Sequence, residues 1–297
     1  MSKNKQRSDE LKVKILTFIG RFGWLRINEV ARIVWPMADE KNGFKYADLH
    51  LRRLEEDGYL QLEKLPERAG TAATLQRKAI SFLKKEGIEV TKVSFNPWQE
   101  RSEWKHDLLT TSLFALLIND TRLCPVNAKY LTDRECKRVR KECTNEILLF
   151  NGETKVPDLI IDTIHWGVLA VEVERSTKTG KKNKAPLVKN LILTNTQHSP
   201  YMYGDLTPKF VALAFDMQQT VSRNGKIHRV DHEKNIFNTV FRQLSLFGVE
   251  KIRLIALKMV VKKYTVSYLM IEDCERNQHE ILEYFNTSDG SDFDPTL

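Results

Sequence analysis

Residues 156–178 read VPDLIIDTIHWGVLAVEVERSTK, and they constrain the fold more than any other stretch. Two very apolar, strand-like segments carry charged groups at their ends. Asp158 follows Pro157, Glu172 and Glu174 stand two residues apart on one face of a strand, and Lys178 comes next. Three carboxylates on buried strands repel one another and lose hydration. A divalent cation among them offsets that cost, because hard cations prefer oxygen ligands, and a nearby lysine can face a phosphate. The pattern points to metal-assisted cutting of a phosphodiester, with Mg²⁺ or Mn²⁺ as the ion.

The rest of the chain is compatible with that chemistry. At 297 residues it has room for two domains. No run approaches the roughly 20 apolar residues of a membrane span, and the polar start MSKNKQRSDE is not a signal peptide. A cytoplasmic protein without membrane partners is expected. Cys124, Cys136, Cys143 and Cys274 form no CxxC pair, so reduced thiols are the reading. The net charge of +8 is unevenly spread: from Glu272 onward the chain carries −7, leaving +15 on residues 1–271. A body this basic favours a polyanion, nucleic acid being the usual one.

Residues 8–90 have their own character. SDELKVKILTFIGRFG reads as a helix closed by Gly23, INEVARIVW as a second, and FKYADLHLRRLEEDGYL as a third, closed by Gly58. In the third, Tyr46, Leu49, Leu51 and Leu54 are expected in the core, with Lys45, His50, Arg52 and Arg53 projecting outward. YLQLEKL and TAATLQ then form a hairpin about Arg68-Ala69-Gly70, followed by the helix RKAISFLKKEG. Three helices and a hairpin make a winged helix-turn-helix. LRRLEEDGYL followed by a hairpin resembles the recognition helix and wing of bacterial winged-helix regulators. A basic helix can enter the major groove while Arg68 on the wing reaches the backbone or minor groove. The alternative is a winged helix used for protein contact.

After the link VTKVSFNPWQER, residues 102–120 read as a capped helix and DRECKRVRKE as a short basic helix or loop. EILLF, VPDLIID and GVLAVEVE read as strands, with Asn151-Gly152 as the turn between the first two. NKAPLVKNLILTN and HEKNIFNTVFRQLSLFG read as helices; KFVALAFD, KIRLIALKMV and KKYTVSYLMIE as strands. The expected organisation is a winged helix at 8–90, an α/β (overall α+β) mixed-sheet domain at 100–271, and an acidic, flexible tail at 272–297.

The order helix, strand, strand, strand, helix, strand over 102–216 resembles the core of the PD-(D/E)xK nuclease superfamily. That resemblance makes Asp158 and Glu172 metal ligands, with Glu174 standing where a lysine is usual and Lys178 able to swing its amine back. VEVERSTK after a Pro-Asp hairpin, with a winged helix upstream, also resembles the MobC-type plasmid relaxases and the wider replication-relaxation family. The likeness implies a protein that nicks DNA at a transfer origin, with Asp158, Glu172, Glu174 and Lys178 at the site and Glu29 as a further acid. That family continues with an Arg-Tyr pair soon after the lysine; here Lys182 and Asn183 follow instead. Asn183 cannot replace a phenol nucleophile, so hydrolytic nicking is favoured over a covalent protein–DNA intermediate.

Each candidate has a bland counterpart. For Asp158 it is a strand-start aspartate satisfied by backbone donors. Glu174 can pair with Arg175 or Lys178. Lys178, Lys181 and Lys182 lie in a basic run suited to phosphate contact. Glu103 and His106, at a helix start, are weaker candidates for supporting the metal site. His228, Asp231 and His232 are better explained by helix capping than by a metal. The expected partner is double-stranded DNA, single-stranded at a nick, with a homodimer or other mobilisation proteins possible. Two alternatives remain: a non-catalytic replication or transcription regulator with a decayed nuclease domain, and a restriction or transposon end-cutting endonuclease.

Overall fold

The computed structural model describes residues 3–90, 104–142, 156–174, 206, 208, 210–218, 220–223, 226–229 and 251–277. The chain divides into two compact units: Met1–Cys124 with Lys263–Thr265, and Pro125–Lys262 with Val266–Leu297.

The first unit runs α1 (Lys3–Phe22), β1 (Trp24–Arg26), α2 (Ile27–Val34), α3 (Glu40–Glu56), β2 (Leu60–Lys64), β3 (Thr71–Leu75), α4 (Arg77–Lys85) and α5 (Trp104–Leu117). The three helices and the hairpin fall where their apolar periodicity and glycines put them. α1 ends at Gly23, whose φ of 90° suits a residue without Cβ and whose N–H reaches the Ile19 carbonyl. α3 starts at Glu40, ahead of the expected Phe44, and Asp39 caps it by accepting the Asn42 N–H at 3.0 Å. Past its last turn, the Tyr59 N–H bonds to Leu54 O and the Gly58 N–H to Glu55 O, a Schellman ending.

β1 was not foreseen. Its three residues leave too short a trace to read, yet it pairs antiparallel with β3 in a sheet of order β1-β3-β2. α1 packs close to this sheet: a Cβ at Gly20 would stand 2.9 Å from Leu75 Cδ1 and 2.6 Å from Val90 Cγ1. α5, expected to open the second domain, lies in the first unit instead. Phe114 of α5 packs on Phe18 and Phe22 of α1, and Trp104 and Leu108 join a core cluster with Trp24, Leu65 and Ala72.

α3 faces its core differently from expectation. Gly43, Ala47, Leu51 and Leu54 are buried, whereas Tyr46 and Leu49 are exposed. The buried side of its first half is made of small residues, and a Cβ added at Gly43 would meet Ala31 and Ala38 at 3.8 and 3.7 Å. Close approach of α2 and α3 selects small side chains and leaves large ones outside.

The second unit holds a six-stranded sheet of order β11-β10-β7-β6-β5-β4. Its strands are β4 (Tyr130–Thr132), β5 (Leu159–Thr163), β6 (Gly167–Glu174), β7 (Phe210–Asp216), β10 (Lys251–Lys262) and β11 (Thr265–Asn277), with α6 (Asp133–Glu142) after β4. β4, β5 and β6 are antiparallel neighbours; β6, β7 and β10 run parallel. β8 (Thr220–Arg223) and β9 (Lys226–Arg229) form a separate antiparallel ribbon. β4, β8 and β9 are additions to the sequence reading, and DRECKRVRKE is a helix. β11 continues through Asn277, so residues 272–277, expected in the flexible tail, belong to a strand. Cys136, Ile160 and Leu206 make a buried cluster in this unit, and burial pushes the Cys136 thiol far up. The strand read at EILLF, the turn at Asn151-Gly152 and the helices read at NKAPLVKNLILTN and HEKNIFNTVFRQLSLFG lie outside the described residues. Among the described residues, no helix is long and apolar enough to cross a membrane.

Candidate functional site

β5 and β6 bring the expected carboxylates to one end of the sheet. Their register pairs Leu159 with Val171, which puts Asp158, just before β5, level with Glu172. The Asp158 N–H bonds to Val171 O at 3.1 Å. The Asp158 Oδ2 in turn accepts the Val173 N–H at 2.8 Å, the bond a ladder carbonyl would otherwise make. The backbone role weighed for this aspartate is therefore present, and it fixes the carboxylate beside β6.

Glu172 and Glu174 are only 1% and 4% exposed. They occupy one face at the carboxyl end of β6, since alternate residues of a strand share a face. The parallel register continues this face across the sheet, Glu172 level with Leu213 and Ala256, Glu174 with Phe215 and Lys258. Lys258 is itself buried, and its Nζ stands 2.5 Å from Glu272 Oε2 of β11. That pair departs from the sequence reading, which places Glu272 in the tail. Asp216 ends β7 and accepts the Gln218 N–H at 3.0 Å, while the Met217 N–H bonds to Met259 O. Ligand sites in open sheets lie at the carboxyl ends of parallel strands, which is where the two glutamates stand.

As donors, Glu172, Glu174 and Asp158 are hard oxygen ligands of the kind Mg²⁺ and Mn²⁺ take. One Asp158 oxygen is already committed to Val173. Among the described residues, no group of three or more His, Cys, Asp and Glu side chains is close enough together to hold a metal ion. Lys178, Lys181, Lys182 and Glu103 lie outside the described residues.

The first unit distributes the expected DNA-contacting residues over α3 and the β2–β3 loop. Lys45, Arg52 and Arg53 are exposed on α3. Arg52 is engaged by Asp48 at 3.0 Å, a partner one helical turn away that holds the guanidinium's proton more firmly. His50 is half-buried, its ring 5.4 Å from that of Trp35 and nearly parallel to it. Burial first, and Arg53 second, push its pKa down, which makes it a poor phosphate ligand near neutral pH. Arg68 is exposed in the loop Leu65–Gly70, where Glu67 and Arg68 both have positive φ, 54° and 56°.

Glu29 has a structural occupation. It is fully buried, and Arg26 holds both its oxygens, Nε to Oε2 at 2.7 Å and Nη2 to Oε1 at 2.5 Å. The same guanidinium donates to Ala69 O, Tyr264 O and Thr265 Oγ1 at 3.0–3.1 Å. Glu67 accepts from the Tyr264 hydroxyl and pairs with Lys105 Nζ at 2.5 Å; Lys105 foremost, then Tyr264, hold its carboxyl below the usual range. This network ties the β2–β3 loop to the turn at 263–265. His106 is half-buried on α5, in the first unit, and its carbonyl accepts the Thr110 hydroxyl. Nothing in the sequence marked Arg26, whose partners Tyr264 and Thr265 are more than 230 residues away.

Comparison with protein-family models, curated proteins and solved structures gives no match to this chain.

Proposed function

We propose that the chain is a metal-dependent, site-specific DNA endonuclease that nicks DNA of a plasmid or mobile element, in the manner of a relaxase. The observation that carries this reading is the pair Glu172 and Glu174, buried on one face at the carboxyl end of a central strand, with Asp158 held level with Glu172. Keeping two carboxylates two residues apart in a buried strand is costly unless positive charge meets them. Bound there, Mg²⁺ or Mn²⁺ would polarise a phosphodiester and lower the pKa of a water. Asp158, braced by the Val173 N–H, and the two glutamates would be drawn together by the ion as its oxygen donors, and Lys178, Lys181 and Lys182 would supply charge for the phosphoryl oxygens.

The order α-β-α-α-β-β in the first unit, with a Schellman-ended α3 and a hairpin, supports a winged helix, and the net charge of +8 supports a nucleic acid as its partner. The second unit supports a PD-(D/E)xK-like domain through its mixed sheet and its Pro157-Asp158 and Glu172-Val173-Glu174 strings. Asn183 favours hydrolysis over strand transfer.

Asp158→Asn and Glu172→Gln each abolish Mg²⁺- or Mn²⁺-dependent nicking of supercoiled DNA carrying the native element, with duplex affinity changed less than about three-fold. Gel conversion of supercoiled to open circles, beside a binding titration, measures both. The bond from Val173 to Asp158 favours a second reading, a DNA-binding regulator whose carboxylates serve the fold alone. Absence of nicking by the unaltered chain, with binding intact, selects that reading.

A further inference from the structure

Nine large apolar residues are strongly exposed among those described, and four of them, Met37, Phe44, Tyr46 and Leu49, fall within α3 and the turn before it. They are concentrated where scattered exposure would need no explanation. At 48% exposed, Leu49 lies on the outward face of α3, one turn after Lys45 and one turn before Arg52 and Arg53.

Charge selects the occupant of this face. Lys41, Lys45 and Arg53 are exposed, and no ion pair engages them among the described residues. The helix's carboxylates are largely committed: Glu40 to Arg32, Asp48 to Arg52, Glu55 to the Leu62 N–H, with Glu56 at its last residue. A face of available cations around an apolar centre complements a polyanion that offers an apolar group, and the thymine C5-methyl is the apolar group exposed in the major groove.

We infer that Leu49 is a specificity-determining residue that reads thymine by its methyl group, with Lys45 and Arg53 holding α3 against the flanking phosphates. The inference rests on the DNA-binding reading of this unit. His50 is stacked on Trp35 and Arg52 is tied to Asp48, while Leu49, 48% exposed, stands between Lys45 and Arg53 on the outward face.

The test uses the full-length chain and duplexes selected by it from a random library. Each thymine of the preferred site is replaced by uracil, which removes the methyl and leaves the hydrogen-bonding edge. At one or two positions the unaltered chain binds the uracil duplex about four-fold more weakly, the worth of one buried methyl-sized group. Leu49→Ala, at an exposed position that leaves the fold intact, binds thymine and uracil duplexes equally. Indifference of the unaltered chain to uracil, or persistence of the thymine preference in Leu49→Ala, overturns the assignment to Leu49 alone. Failure to bind any duplex at low salt overturns the underlying DNA reading. A dimer dissociated by Leu49→Arg, with duplex affinity unaffected, overturns the inference in favour of a second copy as occupant.

Discussion

The Arg26–Glu29 pair shows how a residue that resembles part of a site can serve the fold. Both side chains are buried, 3% and 0% exposed, and the guanidinium's donors are spent on Glu29, Ala69, Tyr264 and Thr265. Removing one member strands the other's charge, which costs about 3–5 kcal/mol, whereas replacing both with apolar residues is far milder. Glu29→Ala is therefore expected to lower the thermal midpoint sharply, and the double change Arg26→Met with Glu29→Leu to recover much of it in melting curves. Legibility differed from residue to residue for physical reasons. Glu172 and Glu174 could be read as buried because Ala170, Val171 and Val173 flank them. The roles of Arg26 and Tyr264 could not, because Arg26 reaches Ala69, Tyr264 and Thr265, and Tyr264 reaches Glu67, all far along the chain, and no local pattern encodes such contacts.

At the scale of elements, terminating glycines were more legible than faces. Gly23 and Gly58 mark their helix ends, since the chemistry that ends a helix is local, whereas the cap at Asp39, ahead of the expected start at Phe44, was not read. The face of α3 was misread because small residues, Gly43 and Ala47, line its buried side, and counting large apolar residues then points the wrong way. The β10–β11 turn carries another local cost. Lys263 and Tyr264 both have positive φ, 47° and 65°, in a two-residue connection that favours Asn-Gly. Tyr264 is kept by its contacts with Glu67, Trp104 and Arg26. Lys263 is exposed and has no such role. Lys263→Asn should stabilise the protein by about 1 kcal/mol, read as a rise in the thermal midpoint.

For the whole molecule, the boundary of the first unit at Cys124 matters more than the polar link that the sequence suggested. α5 brings Trp104, Leu108 and Phe114 to the cores of that unit, and Asn119 bonds to the Arg32 carbonyl at 2.8 Å. A fragment ending at residue 124 is expected to melt cooperatively and at a higher temperature than one ending at residue 95, by circular dichroism. The sequence could not place this boundary, because α5 is apolar around most of its circumference and gives no sign of which neighbour it packs on.

The reach of β11 gives the acidic stretch a different meaning. β11 is a terminal strand of the described sheet, thirteen residues long, where the opposite terminal strand, β4, has three. A long border strand invites a second chain to add itself through its unused backbone groups. Glu272, Asp273 and Glu275 fall on the last part of that strand. The acidic stretch thus begins on a border strand of the described sheet, where Glu272 is matched by Lys258 of the neighbouring strand.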